Sequence, residues 1–128
     1  MSARALLLVL LLCVPAALQG AEAAPRLSLD PESWDFGRTL KNRVIEKQFT
    51  LKNVGDANLV IEKISTTCGC AAALLSEMTL PPGKSAVLRV TFDTRDFEGR
   101  VERKVLLRSN DRSRDPLEIK LQATVVRQ

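Results

Sequence analysis

The sequence predicts an all-β fold, an antiparallel β-sandwich of immunoglobulin type with about seven strands, on three observations. Apolar and polar residues alternate with a period of two in one stretch after another between Arg26 and Val125, as half-buried strands require. Those stretches are short, and clusters of Pro, Gly, Asn and Asp separate them. About seven strands spaced in this way over roughly 100 residues match the size and rhythm of an immunoglobulin-like domain.

The chain in order bears this out element by element. Residues 1–23 read as a signal peptide: Met1-Ser2-Ala3-Arg4 is a short basic start, Ala5 to Val14 is an apolar run, and Pro15 breaks it before the small-residue stretch Ala21-Glu22-Ala23. Cleavage is expected after Ala23. The apolar run is about half of the roughly 20 residues a membrane span needs, so an anchor is not expected. Cys13 follows Leu12 rather than a small residue, which argues against lipidation there. Residues 24–128 then form one domain.

Arg26 to Asp30 alternates until Pro31, and Ser33 to Gly37 is a second extended piece. Its Asp35-Phe36-Gly37 spells a kinase magnesium motif, but the chain has neither the length nor the other motifs of a kinase. From Val44 to Lys52, Ile45, Phe49 and Leu51 share one face. Lys47 is the one polar residue on it, and is expected near an edge where its amine reaches water. Asn53-Val54-Gly55-Asp56 is a turn. In the strand from Asn58 to Ser65, Leu59 and Ile61 face one way and Ile64 breaks the parity, which predicts a bulge near Lys63. Ala71 to Leu75 fits a strand or one helical turn. Leu80-Pro81-Pro82-Gly83-Lys84 is a loop, and Ala86, Leu88, Val90 and Phe92 mark a further strand. Val101, Val105 and Leu107 mark another, interrupted by Arg103. Leu117, Ile119, Leu121, Ala123 and Val125 complete the last and most regular strand.

Composition narrows the function classes. Apolar residues are 45% and charged residues 27%, the proportions of an ordinary globular domain. The net charge of +4 is unchanged without residues 1–23, which carry one base and one acid, Arg4 and Glu22. Bases and acids are interleaved, as in Arg100-Val101-Glu102-Arg103-Lys104, and aromatics are only 4%. Nothing here supplies the basic stripe and stacking platform of a nucleic-acid binder, and none is expected as a partner. The chain has no histidine. That excludes Ser-His-Asp and Cys-His nucleophiles, His-ligated zinc and a His general base.

Chemistry, if there is any, starts at Cys68 and Cys70 in Thr66-Thr67-Cys68-Gly69-Cys70. Four readings compete. The pair could be buried packing. It could be a disulfide, which an exported protein keeps oxidised. In an extended strand the α-carbons would lie about 6.5 Å apart, at the upper edge of the roughly 4.4 to 6.8 Å a disulfide accepts, so a bridge needs a turn, which Gly69 permits. So small a ring would be readily reduced and hence redox-active. Third, residues i and i+2 of a strand point to one side, so two thiolates could hold copper(I). Fourth, the pair could bond a haem or a partner's thiol, although the haem signature is absent. Lys63 is the one cation within five residues of the pair, so no local charge activates a thiol.

Several motifs together resemble the exported bacterial proteins grouped as domain of unknown function family 1573. They are Trp34-Asp35-Phe36-Gly37, the run from Phe49 to Ile61 with Lys52-Asn53-Val54-Gly55-Asp56 inside it, Thr67-Cys68-Gly69-Cys70, Leu80-Pro81-Pro82-Gly83 and Ser109-Asn110-Asp111. The resemblance covers the whole mature chain. It departs at Arg112, where a proline is common, and the turn there is expected to differ. It implies a sandwich related to the immunoglobulin-like domains of hydin and major sperm protein, and no settled activity. The expectation is an exported, non-catalytic binding or assembly module whose partner is another protein. The alternative is a small thiol protein that binds copper(I) or exchanges disulfides through Cys68 and Cys70.

Overall fold

The computed structural model describes residues 23–127. Residues 1–22 of the expected signal peptide, Cys13 among them, lie outside the described residues. Nine strands follow: β1 (Leu27–Asp30), β2 (Ser33–Leu40), β3 (Val44–Asn53), β4 (Leu59–Thr66), β5 (Ala71–Leu75), β6 (Thr79–Leu80), β7 (Ser85–Asp93), β8 (Gly99–Ser109) and β9 (Leu117–Val126). One sheet has the order β1-β3-β7-β5, the other β2-β9-β8-β4-β6. The two pack face to face as the expected sandwich.

The count exceeds seven because Ala71–Leu75 is a strand and because Thr79–Leu80 pairs with Leu59 and Val60. A two-residue strand is too short to leave a period. One pair departs from the antiparallel expectation: β2 runs parallel to β9. Pro31 ends β1 in one sheet, the chain crosses to the other, and β2 lies there alongside the last strand.

The alternation seen in the sequence is the burial pattern. Phe49 and Leu51 of β3, Ala86 to Phe92 of β7 and Leu117 to Val125 of β9 put their alternate apolar residues in the core. The register of β4 against β8 shifts between Ile61 and Lys63, the expected bulge, and it returns Ile64 to the inner face. β1 covers only Thr50–Asn53 of β3, so the first half of β3 is an edge. There Lys47 Nζ reaches out and sits 3.7 Å from the centre of the Trp34 ring. Arg103 does face inward, with its guanidinium 5.1 Å from the centre of the Phe97 ring. In β2 the register slips between Asp35 and Arg38, where Asp35 Oδ1 accepts from Gly37 N–H at 2.8 Å and Gly37 takes φ +74°. The kinase-like tripeptide is thus a strand bulge.

The core has two clusters. The larger spans β1, β3, β4 and β6 to β9. The smaller, Cys70, Ala71, Phe92, Val101, Ala123 and Val125, lies at the other end of the sandwich, with Cys68 against it.

Two buried polar knots close the end of the larger cluster. Asn53 is fully buried: its amide donates to the carbonyls of Ala57 (2.7 Å) and Leu80 (2.8 Å), and its Oδ1 accepts from the N–H groups of Gly55 (3.0 Å) and Arg26 (3.3 Å). Asp111, 4% exposed, accepts from Leu27 N–H at 2.8 Å and from the N–H and hydroxyl of Ser113. Burial pushes the Asp111 carboxyl up. The Leu27 and Ser113 donors and the Arg114 guanidinium together outweigh that and hold it below the usual range. With Arg112 in place of a proline, Asp111 caps a single 3-10 turn, Arg112–Arg114.

Candidate functional site

The site is the crossing from one sheet to the other. β4 ends at Thr66 in the second sheet, β5 begins at Ala71 in the first, and Thr67–Cys70 is the turn between them. Main-chain N–H groups and hydroxyls hold it from both sides. Thr67 N–H donates to the Lys104 carbonyl at 3.0 Å, and Lys104 N–H returns a bond to Thr67 Oγ1 at 3.0 Å. Thr66 Oγ1 lies 2.8 Å from the Cys68 carbonyl and 3.2 Å from that of Ala71, so its one proton serves both. Asp93 N–H donates to the Cys70 carbonyl at 2.8 Å.

Within this turn Cys68 and Cys70 form a disulfide, their α-carbons 5.3 Å apart. The expectation that a bridge needs a turn is met. The strand alternation invoked for a metal pair is not: these residues are in no strand, and the folded-back chain, rather than a period of two, brings the sulfurs together. Bonded to one another, neither sulfur is a thiolate, so copper(I) fits only the reduced pair. Among the described residues no group of three or more His, Cys, Asp or Glu side chains is arranged to hold a metal.

Two features of the turn were not visible in the sequence. Gly69 is not required by the backbone, because its φ is not positive and a Cβ there would meet nothing within 4 Å. Its effect is to leave the turn bare beside the sulfurs. A cation is present after all: Arg95 Nη2 donates to the Gly69 carbonyl at 3.1 Å, from a loop 26 residues away in sequence. No local pattern could have announced it.

The two cysteines differ in surroundings. Cys70 is 5% exposed, inside the smaller core cluster, whereas Cys68 is half-buried at its rim. Cys70 N–H donates to Cys68 Sγ at 3.3 Å.

β5, which starts at the disulfide, is an outer strand of its sheet. Cys70 carbonyl pairs with Asp93 N–H and Ser76 N–H pairs with the Val87 carbonyl. In an antiparallel ladder this alternation turns Ala72 and Leu74 toward β7, and turns the N–H and C=O groups of Ala71, Ala73 and Leu75 outward. Ala71 is satisfied by Cys68 and Thr66. The outward groups of Ala73 and Leu75 have no hydrogen-bond partner among the described residues. Leu74, 72% exposed, stands on the outer face beside a hollow of about 190 Å³ lined by Leu74, Leu75, Ser76, Val87 and Arg89.

The other edges are guarded. β1 is four residues long, is stopped by Pro31 and has the N–H and C=O of Leu27 held by Asp111 and Arg114. β2 carries the bulge at Asp35 to Arg38, and the free half of β3 carries Glu46 and Lys47. β6 is two residues long, and the part of β4 beyond it carries Glu62, Lys63 and a bulge. β5, Ala71-Ala72-Ala73-Leu74-Leu75, has no charge, proline or bulge.

Comparison with known proteins places this geometry. A Porphyromonas gingivalis W83 protein of unknown function is similar in structure, with TM-score 0.70, 18% identity and 80% of this chain covered. The aligned part is 47% of that protein, so the chain spans about half its length. The ASH/PapD-like domain 7 of human CEP192 matches with TM-score 0.64 and 12% identity over 82% of this chain and 88% of that one. The periplasmic chaperone SfaE matches with TM-score 0.57 and 14% identity over 78% and 57%. At such identities the likeness is one of fold. No curated protein matches the sequence significantly. The model of one family, described as protein of unknown function DUF1573, matches residues 27–125, and the chain belongs to that family.

Proposed function

We propose that this domain is an exported, non-catalytic binding module that docks an extended segment of another protein along β5. The observation that carries the reading is the unguarded edge at Ala73 and Leu75. Strand addition there would form hydrogen bonds to two N–H and two C=O groups, each worth about 1 kcal/mol net. Four such bonds supply about half of the ~8 kcal/mol of a micromolar complex. The remainder has to come from apolar burial, and Leu74 outside with Ile64, Ala73 and Leu75, half-buried on the inner side, supply the surface. The partner is therefore a segment with apolar residues at alternate positions on its inward face and an apolar residue of the opposite face fitting the hollow by Leu74.

Export rests on the leader-like residues 1–23 and on the disulfide, which persists in oxidising compartments. The main-chain nitrogen of Ala24 donates to Asp56 Oδ1 at 2.6 Å, so an α-amino group freed by cleavage after Ala23 would face a carboxylate. A nucleic-acid partner has no support in the interleaved charge. The second reading is a thiol protein acting through Cys68 and Cys70, favoured by the position of Cys68 at the rim of the smaller cluster; copper(I) binding would require the reduced pair.

Photocrosslinking in the exporting cell tests the docking reading, from a crosslinker at position 74 and one at position 118 on the opposite sheet. The expected result is a discrete adduct with a different protein from 74 only, lost when Ala73→Pro removes an outward N–H without disturbing the pairing to β7. An adduct that survives the proline, one from 118 alone, or a dimer of this chain would overturn it.

A further inference from the structure

We infer that the Cys68–Cys70 disulfide exchanges with thiols at one sulfur, Cys68, and that Cys70 serves as the internal leaving and resolving sulfur. This does not depend on docking at β5. Exchange requires a thiolate to reach a sulfur, and access separates the two. Cys70 is enclosed by Ala71, Phe92, Val101, Ala123 and Val125. Cys68 lies at the rim beside Gly69, where the space a side chain would occupy is open. The Arg95 guanidinium on the Gly69 carbonyl puts a positive charge where an anionic sulfur would approach.

The step balances without an outside oxidant or reductant other than the thiol. The incoming thiolate forms a bond to Cys68 Sγ as the bond between Cys68 Sγ and Cys70 Sγ breaks. The electron pair leaves on Cys70 Sγ, which takes up the proton the thiol lost. Two effects oppose one another at this point. A charged sulfur is disfavoured in the apolar cluster around Cys70, which would argue for attack at Cys70 and departure of Cys68. Yet attack at Cys70 demands that the nucleophile enter the packed core, and enclosure outweighs a slower departure. The same enclosure keeps the released Cys70 beside Cys68, its carbonyl tied to Asp93 N–H, so it returns to Cys68 and expels the thiol. The ligand class is thus an accessible thiolate, on a small molecule or on a flexible polypeptide.

The test uses the exported protein and glutathione. Cys70→Ser, incubated with oxidised glutathione, is expected to acquire one glutathione at Cys68 on the order of tenfold or more faster than Cys68→Ser acquires one at Cys70. Because either variant could misfold, the oxidised wild type is also mixed with millimolar reduced glutathione, quenched with N-ethylmaleimide and fragmented in a mass spectrometer. Glutathione on Cys68 with maleimide on Cys70 is the expected pattern. Glutathione on Cys70, equal rates in the two folded variants, or a wild-type disulfide inert to the thiol would overturn the inference. A cysteine peptide of alternating apolar sequence, run beside glutathione, separates the two thiol sources. If it exchanges faster and Ala73→Pro removes the advantage, the polypeptide is the preferred source; equal rates leave the small thiol.

Discussion

Truncating Asn53 to alanine would remove four hydrogen bonds at once, and the structure says what each is worth. Three of them, from Arg26 and Gly55 and to Ala57, lie at a partly exposed turn where water can replace the side chain, so each loss costs about 0.5 kcal/mol. The fourth ends on the Leu80 carbonyl, inside the core, and stranding that acceptor costs about 1 to 3 kcal/mol. The expected total is about 3 kcal/mol, or roughly 10 to 20 °C in Tm for a domain of this size. Urea unfolding followed by fluorescence of the single tryptophan, Trp34, which stacks under Lys47, reads it directly. Asn110 is the control: it also bridges two main-chain groups, Val60 N–H at 2.9 Å and the Asn58 carbonyl at 3.0 Å, but in exposed surroundings. Asn110→Ala should cost under about 1 kcal/mol. If Asn53→Ala costs no more than Asn110→Ala, burial is not what makes the Asn53 knot valuable, and the reasoning fails.

Gly55→Ala would drive a Cβ into the Ala24 carbonyl oxygen and set it 2.5 Å from Arg26 N, both main-chain atoms. The N-terminal segment would have to lift, and amide hydrogen exchange across Leu27–Asp30 should quicken while that of β9 follows global stability only; unchanged exchange in β1 would refute this. The Asp111 carboxyl is held below its ordinary 3.8 in the folded state, so its contribution is full above about pH 4 and is lost as pH falls through the lower folded value. Asp111→Asn should be less stable near neutrality yet lose less on acidification than the wild type. Parallel acid-unfolding curves would show that Asp111 does not carry that loss.

Faces were legible in the sequence and neighbours were not. A period of two states which side chains of β3, β7 and β9 turn inward, and the broken parity at Ile64 marked a real bulge. Nothing local states that β2 lies parallel to β9, or that β5 ends its sheet, because strand order is a matter of distant pairing. The same limit applies to the site. Asn53 was readable as a turn residue, but its bonds to Leu80 and Arg26 join segments 27 residues away on either side. Arg95 at the cysteine turn escaped for that reason. The closeness of Cys68 and Cys70, by contrast, was legible because it needs only one turn.

The disulfide and the open edge adjoin, yet the hydrogen bonding keeps their roles separable. Ala71, the first residue of β5, has its N–H directed to the Cys68 carbonyl at 3.4 Å and its carbonyl to Thr66 Oγ1, both from the crossing. The free groups begin two residues further on, at Ala73, where the strand is held by its pairing to β7 from Phe92 to Leu88 rather than by the sulfurs. Opening the disulfide therefore loosens the head of β5 and leaves the accepting length in place. Proline at Ala73 blocks that length and leaves Cys68 as exposed as before. A double Cys68→Ser, Cys70→Ser variant should still dock a strand, and Ala73→Pro should still exchange with glutathione. If either change abolished both behaviours, the edge and the sulfurs would have to act as one site, and the division of labour argued from these hydrogen bonds would be wrong.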